Sequence, residues 1–388
     1  MAINRFYKLR QHLHFVNTEE KPNNDNRLWK IRPLYDTLRV RFQSLPLETD
    51  LCIDEQMIPF KSSLNIKQYI KNKHTKWGIK LLALCGRSGL CYDFIIYQGV
   101  TTELLPDHAD VLGLSGVLVT TLAQRITQPN FRLFFDNYFS NYNVLQYLRN
   151  KRIYASCTAR IDRFQNPPFS SERILKSQGR GSCEEVISDD GIIMVKWYDN
   201  KSVIMASNYK GIGRISNCKR WDKSQKEYKQ VPRPEVITDY NSCMGGVDKL
   251  DFLITLYRTF IRSRKWTLRM FTHALDMACS NSWLEYKAKA ELLKIPKKDI
   301  LDLLGFRAYV AKCLIKAEKP QQKKKGRPLV NLPTDPATPS PPSTPTPSSL
   351  RRVAEVRPLR EMQESWVQRP DQGQMYKVQP SLMFKQRK

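Results

Sequence analysis

The sequence predicts an α/β fold in which a mixed sheet carries helices on both faces. Three observations lead to it. The hydrophobic period changes from helical to alternating near residue 50. Three strand-like segments then follow, the second and third joined by the Gly-containing hairpin loop Cys85-Gly86-Arg87-Ser88-Gly89. After them, helices and strands alternate in the manner of βαβ crossovers.

Phe6, Leu9 and Leu13 share one helical face, and Leu34, Leu38, Phe42 and Leu45 share another, between Pro33 and Pro46. Strands are expected over Leu51–Met57, Ile79–Leu84 and Tyr92–Tyr97. A helix near Ala109–Arg125, a strand at Phe131–Phe135, a short helix at Asn143–Asn150 and a strand at Ile153–Ala159 complete a ribonuclease-H-like order. Residues 162–195, rich in Ser, Gly and Arg, are expected to form an insertion. A strand pair at Ile192–Tyr198 and Ser202–Ser207 turns at Asp199-Asn200, and the chain after Asp248 is helical to about Leu293. The sheet domain is expected to span 50–210, flanked by two parts of an all-helical domain, 1–49 and 211–317. Residues 318–388 contain a basic run and a Pro/Ser/Thr-rich stretch from Pro333 to Ser349. Such a tail buries too little apolar surface to offset its ordering entropy, so disorder is expected.

The formal net charge is +27 over 388 residues. A polyanion suits that excess far better than a small neutral substrate, and nucleic acid is the first candidate. No apolar run is long enough to span a membrane, and Met1 to Arg10 lacks a secretory apolar core. The nine cysteines form no CxxC pair, which fits reduced thiols in a nucleus or cytoplasm and no zinc ribbon.

Two acids stand where such a sheet holds a metal. Asp54 lies inside the first strand and Asp136 ends the fourth, which neighbours it in this topology. Together they suit Mg²⁺ or Mn²⁺, which would activate a hydroxyl and stabilise a leaving oxygen in phosphodiester attack. The alternative is that each Asp only caps a strand or turn, but a charge inside an apolar strand is costly without a partner. Glu55, one residue on, is expected on the opposite face. Lys61, Lys67, Lys71, Lys73, Lys76 and Lys80 interleave with Tyr69 and Trp77, as expected of a phosphate-binding segment. Arg258, Arg262, Arg264, Lys265 and Arg269 form a second such segment. Asp248, with Asp251 three residues on, reads as a helix N-cap arrangement, so a structural role is expected for the pair rather than a catalytic one. Lys325-Gly326-Arg327-Pro328 fits half of an AT-hook, in which Arg327 enters the minor groove, and equally a nuclear import signal or a solvated linker.

Several of these segments resemble the piggyBac transposase family. They are Asp54-Glu55-Gln56-Met57-Ile58-Pro59-Phe60, Tyr69 to Lys73 with Lys76-Trp77-Gly78-Ile79-Lys80, Asp136-Asn137-Tyr138-Phe139-Ser140, and Gly245-Gly246-Val247-Asp248-Lys249-Leu250-Asp251. The likeness runs from about Asn4 to Leu293 and begins inside the family's N-terminal helical region. It implies a ribonuclease-H-like catalytic domain with an insertion, a helical domain for dimerisation and DNA binding, and three Asp residues on two metal ions. It also implies cutting and joining of DNA at TTAA, a homodimer, and a nuclear location.

Asp54 and Asp136 match the first two acids. The third is expected after Ser202–Ser207, where the chain reads Met205-Ala206-Ser207-Asn208-Tyr209-Lys210, so Asn208 stands as a degenerate third position, with Asp199 at the preceding turn as a candidate substitute acid. The family's Cys-rich zinc-binding end has no counterpart after Cys313, so no zinc is expected. The resulting expectation is a transposase-derived DNA-binding protein with impaired strand chemistry and no small-molecule or membrane partner. The alternatives are an active two-metal enzyme and a chromatin-associated scaffold.

Overall fold

A computed structural model describes residues 2–17, 19–20, 26–71, 73–104 and 109–317. The expected disordered tail and Arg327 lie outside the described residues. The chain begins with α1 (Ile3–Gln11) and α2 (Arg32–Gln43). Then come β1 (Asp50–Pro59), β2 (Lys67–Tyr69), β3 (Trp77–Gly86) and β4 (Cys91–Ile96). The crossovers follow as α3 (Ala109–Ala123), β5 (Arg132–Phe135), α4 (Tyr142–Asn150) and β6 (Tyr154–Thr158). Next are α5 (Glu172–Gln178), β7 (Cys183–Ile187), β8 (Ile193–Tyr198) and β9 (Ser202–Ser207). The remainder is β10 (Ser216–Asp222), β11 (Glu227–Arg233), α6 (Glu235–Cys243), α7 (Gly246–Leu256), α8 (Trp266–Leu292) and α9 (Leu303–Ala317).

The main sheet runs β2-β3-β1-β5-β6-β9-β8-β7, with β4 also paired to β3. It is mixed as expected: β1–β5 and β5–β6 are parallel, and the other pairs are antiparallel. Parallel neighbours need crossovers, and α3 and α4 supply them. Alternation along β1 sorts its side chains onto two faces. Leu51 and Ile53 join the core under α3 and α4 with Leu133, Phe135, Val144 and Leu148. Cys52 joins the opposite core with Phe134, Val247, Leu250, Ile254 and Met277. Val247, Leu250 and Ile254 recur at helical spacing, so α7 buries one stripe against the sheet.

Two boundaries differ from the sequence reading. The segment 162–195 is not wholly an insertion, because β7 pairs with β8 and extends the main sheet. The stretch 211–317 is not all helical, because β10 and β11 form a two-stranded hairpin. Its alternation was hidden by charged residues: Lys219 is exposed, while Arg220, Lys229 and Arg233 are part-buried on the face of Cys218 and Val231, in a ribbon too small to have two dry faces.

α8 is held by buried polar groups. Asp276 is 1% exposed and accepts from Arg307 of α9 at 2.7 Å and from the Thr259 hydroxyl at 2.8 Å. His273 is also buried, and its Nε2 has no partner among the described residues. Burial first, then Arg258 and Arg269, push its pKa down to about 3. The unfolded chain, with an ordinary value of 6.5, therefore binds a proton that the folded chain refuses. Stability should fall as pH drops from about 6.5 towards 3. His273→Leu should flatten that limb, as read by urea denaturation at pH 7 and pH 5; an unchanged slope would refute the assignment.

Candidate functional site

Asp54 and Asp136 are brought together by the parallel pairing of β1 with β5. Ile53 lies opposite Phe135, so each acid is the next residue on adjacent strands. Asp54 shares its face with Cys52, and Asp136 follows Phe134 by two, so alternation directs both towards the α7 side. The turn after β5 is firmly held. Thr158 Oγ1 and the Asn137 amide each donate to Asp136 Oδ1 at 2.6 Å, and Arg163 donates to the carbonyls of Asn137 and Tyr138. The Tyr240 phenol of α6, buried beside both acids, has its pKa raised by that burial and then by Asp136.

β5 ends opposite Ile53, which leaves β1 without a neighbour on that side from residue 54 onward. Glu55 exploits the gap. Alternation places it on the far face, yet Lys73 Nζ stands 3.9 Å from Asp54 Oδ2 and 3.4 Å from Glu55 Oε1. One ammonium therefore bridges both carboxylates. Burial, followed by the charge of Glu55, pushes Asp54 up to about 7 despite Lys73.

A third acid arrives on α7. Gly246, in its first turn, packs so close that a Cβ there would stand 2.3 Å from the Gly86 carbonyl oxygen and 2.7 Å from Cys52 Sγ. Further along, Asp251 Oδ1 accepts from Gln56 Nε2 at 3.3 Å. α7 thus runs beside β1 from Cys52 to Gln56, and Asp54 lies between those points on the same face. Asp248 lies between Gly246 and Asp251. Its charge acts on both Lys73 and Cys52. The N-cap reading of Asp248 is corrected: the cap is Gly245, and it makes no side-chain capping bond. Gly246 was the available signal, since it lets the helix press onto the strand that carries Asp54.

Asn208 is placed elsewhere. It follows β9, which runs antiparallel to β6, and its amide accepts from Ala155 N at 2.8 Å. Its Nδ2 donates to the carbonyls of Ile153 at 2.9 Å and Leu145 at 3.3 Å. Ala155 is level with Leu133 at the start of β5, whereas Asp136 follows the end of that strand. Asn208 is 6% exposed and closes the opposite end of the sheet, so it does not occupy a degenerate third position. Asp199, at the β8–β9 turn, is held by Arg180 and Arg220 and is likewise not free.

The basic segments divide in the same way. Lys61, Lys71 and Lys76 are exposed around β2 and β3, and Lys67 lies over the Trp77 ring at 4.8 Å. Lys73 faces the carboxylates. Lys80 is 8% exposed, with Nζ 4.2 Å from the Tyr138 ring centroid, so it is a buried cation of the site wall and not an exposed phosphate contact. Arg262, Arg264 and Lys265 are exposed in the loop between α7 and α8. Arg258 is drawn towards Asp251 at 3.7 Å, and Arg269 donates to the Ile261 carbonyl.

Among the described residues, no group of three or more His, Cys, Asp and Glu side chains closes to metal-holding distance. The chemistry of the donors nonetheless suits a hard divalent cation. Carboxylates stand at adjacent ends of β1 and β5, and α7, packed on the same face, carries Asp248.

Comparison with known proteins agrees with this architecture. The family model described as Transposase IS4 matches residues 1–283, which defines the class. The human piggyBac transposable element-derived protein 3 is 29% identical over 336 residues, covering 84% of this chain and 54% of that protein. The human piggyBac transposable element-derived protein 2 is 31% identical over 312 residues, covering 79% and 51%. The fold matches a chain of the piggyBac transposase synaptic complex with hairpin DNA, with a TM-score of 0.66 at 19% identity, covering 83% of this chain and 66% of that one. The chain spans about half the length of the curated relatives it matches. It belongs to the transposase family, within its piggyBac branch.

Proposed function

We propose that this chain carries out metal-assisted cutting and joining of DNA strands, with Asp54, Asp136 and Asp248 as the acid set. The observation that supports the reading is that Asp54 and Asp136 follow paired residues of adjacent parallel strands, with α7, which carries Asp248, packed against the same face of the sheet. In this reading residues 50–210 are a ribonuclease-H-like catalytic body. The helices of 1–49 and 211–317 grip DNA and pair two copies, and the protein works in the nucleus.

Asp54, Asp136 and Asp248 would hold Mg²⁺ or Mn²⁺, which supplies Lewis-acid activation of a hydroxyl and stabilisation of the leaving oxygen. The chain's own residues do the rest. Thr158 and the Asn137 amide fix the Asp136 carboxylate. Lys73 balances Asp54 and Glu55 until other positive charge enters. Lys61, Lys71 and Lys76 on one side and Arg262, Arg264 and Lys265 on the other bind phosphates and fix the strand's register. Asn208 gives no ground for impaired chemistry, because it stands at the other end of the sheet.

The test is cleavage of DNA with TTAA-flanked ends in Mg²⁺ or Mn²⁺, beside Asp54→Ala. Metal-dependent cutting that the substitution abolishes, with DNA affinity retained, is expected. Salt-sensitive DNA binding with no cutting by the unmodified protein would show a fold kept for binding alone.

A further inference from the structure

The acid set leaves unexplained an aromatic pair at the end of β3. Tyr69 and Trp77 stand directly opposite each other on the β2–β3 ladder. Their ring centroids are 4.7 Å apart with planes tilted by 45°. Tyr69 is 50% exposed and Trp77 46%. Rings this large normally bury most of their surface, so two left open side by side are unsatisfied as packing. Lys67 Nζ lies 4.8 Å from the Trp77 centroid, and Lys61, Lys71 and Lys76 stand exposed around them. Alternation puts Trp77 on the face of Ile79, Leu81 and Ala83, and Ala83 is opposite Asp54. The pair and the carboxylates therefore share one face, separated along β3 by roughly 20 Å at about 3.3 Å per residue.

We propose that Tyr69 and Trp77 form a stacking platform for an unpaired base of the DNA strand that enters the acid site. A base inside a duplex has both faces covered by its neighbours. Open aromatic rings within a ring of lysines match a single strand, whose bases offer π-faces and whose phosphates offer charge. The inference rests on DNA being the substrate and adds where its unpaired part is held.

The experiment compares Trp77→Ala, Tyr69→Ala and Trp77→Phe with the unmodified full chain on two probes. One is a blunt duplex, and the other is the same duplex with a short single-stranded extension carrying 2-aminopurine. Each alanine variant should weaken binding of the extended probe by about 5- to 150-fold, the range for one stacked base. Blunt-duplex binding and the melting temperature should hold, Trp77→Phe should retain most affinity, and 2-aminopurine quenching should be lost with the alanines. Equal losses on both probes, or no loss on either, would overturn the platform while leaving DNA cutting intact. An unmodified chain that binds neither probe would overturn the DNA reading itself.

Discussion

Asp248→Ala should lower metal-dependent DNA cleavage by at least about a thousandfold, which corresponds to several kcal/mol of lost transition-state stabilisation. Its melting temperature should hardly move. Asp248 is exposed and caps nothing, and the repulsion it exerts on Asp251 offsets its attraction for Lys73, so its removal leaves the folded protein's charge balance nearly unchanged. Asn208→Ala should do the reverse. Its amide satisfies the Ala155 N–H and the carbonyls of Ile153 and Leu145 in the interior, and removing it strands buried polar groups at about 1–3 kcal/mol each. Turnover per folded molecule should survive that loss. Parallel thermal melts and single-turnover cleavage decide the matter. Equal loss of cleavage in both variants, or full activity in Asp248→Ala, would sink the acid assignment.

Gly246→Ala should damage stability and chemistry together. The added methyl would meet the Gly86 backbone oxygen at 2.3 Å, and that oxygen cannot step aside because it belongs to β3 at the hairpin. Overpacking of this kind costs about 1–3 kcal/mol or more, and the strain is relieved only by lifting the start of α7 from β1. Asp248 lies two residues on and would be displaced from the level of Asp54. A displacement of about 1 Å in a catalytic group costs on the order of a hundredfold in rate. Wild-type melting and wild-type cleavage in this variant would show that α7 does not set the position of the third acid.

Much of the sheet was legible because β1, β3, β4 and β5 are buried strands with clear turn signals between them. The adjacency of Asp54 and Asp136 was legible for the same reason, since both follow from the pairing of β1 with β5. Asp248 was not. Read locally, an Asp early in a helix looks like helix-end electrostatics, and only the tertiary docking of α7 reveals what it faces. Asn208 misled for a related reason. Adjacency to β9 was read as adjacency to the site, but β9 runs antiparallel to β6, so its end lies at the far edge from Asp136. Lys73 and Lys80 looked like their neighbours in a basic run, and only the loop's return over β1 separates the cations of the site from those of the surface.

The distribution of the three aspartates along the chain has a consequence for biosynthesis. Asp54 and Asp136 belong to strands made early, while Asp248 comes on a helix that can dock only after β1, β3 and the β3–β4 hairpin have closed. Contacts between such distant segments form late in folding. Under the proposed function, a chain still on the ribosome, or one released before residue 246, holds a sheet with two acids and cannot complete the set. The DNA-cutting capacity is thereby withheld until most of the sheet and its covering helix have been made.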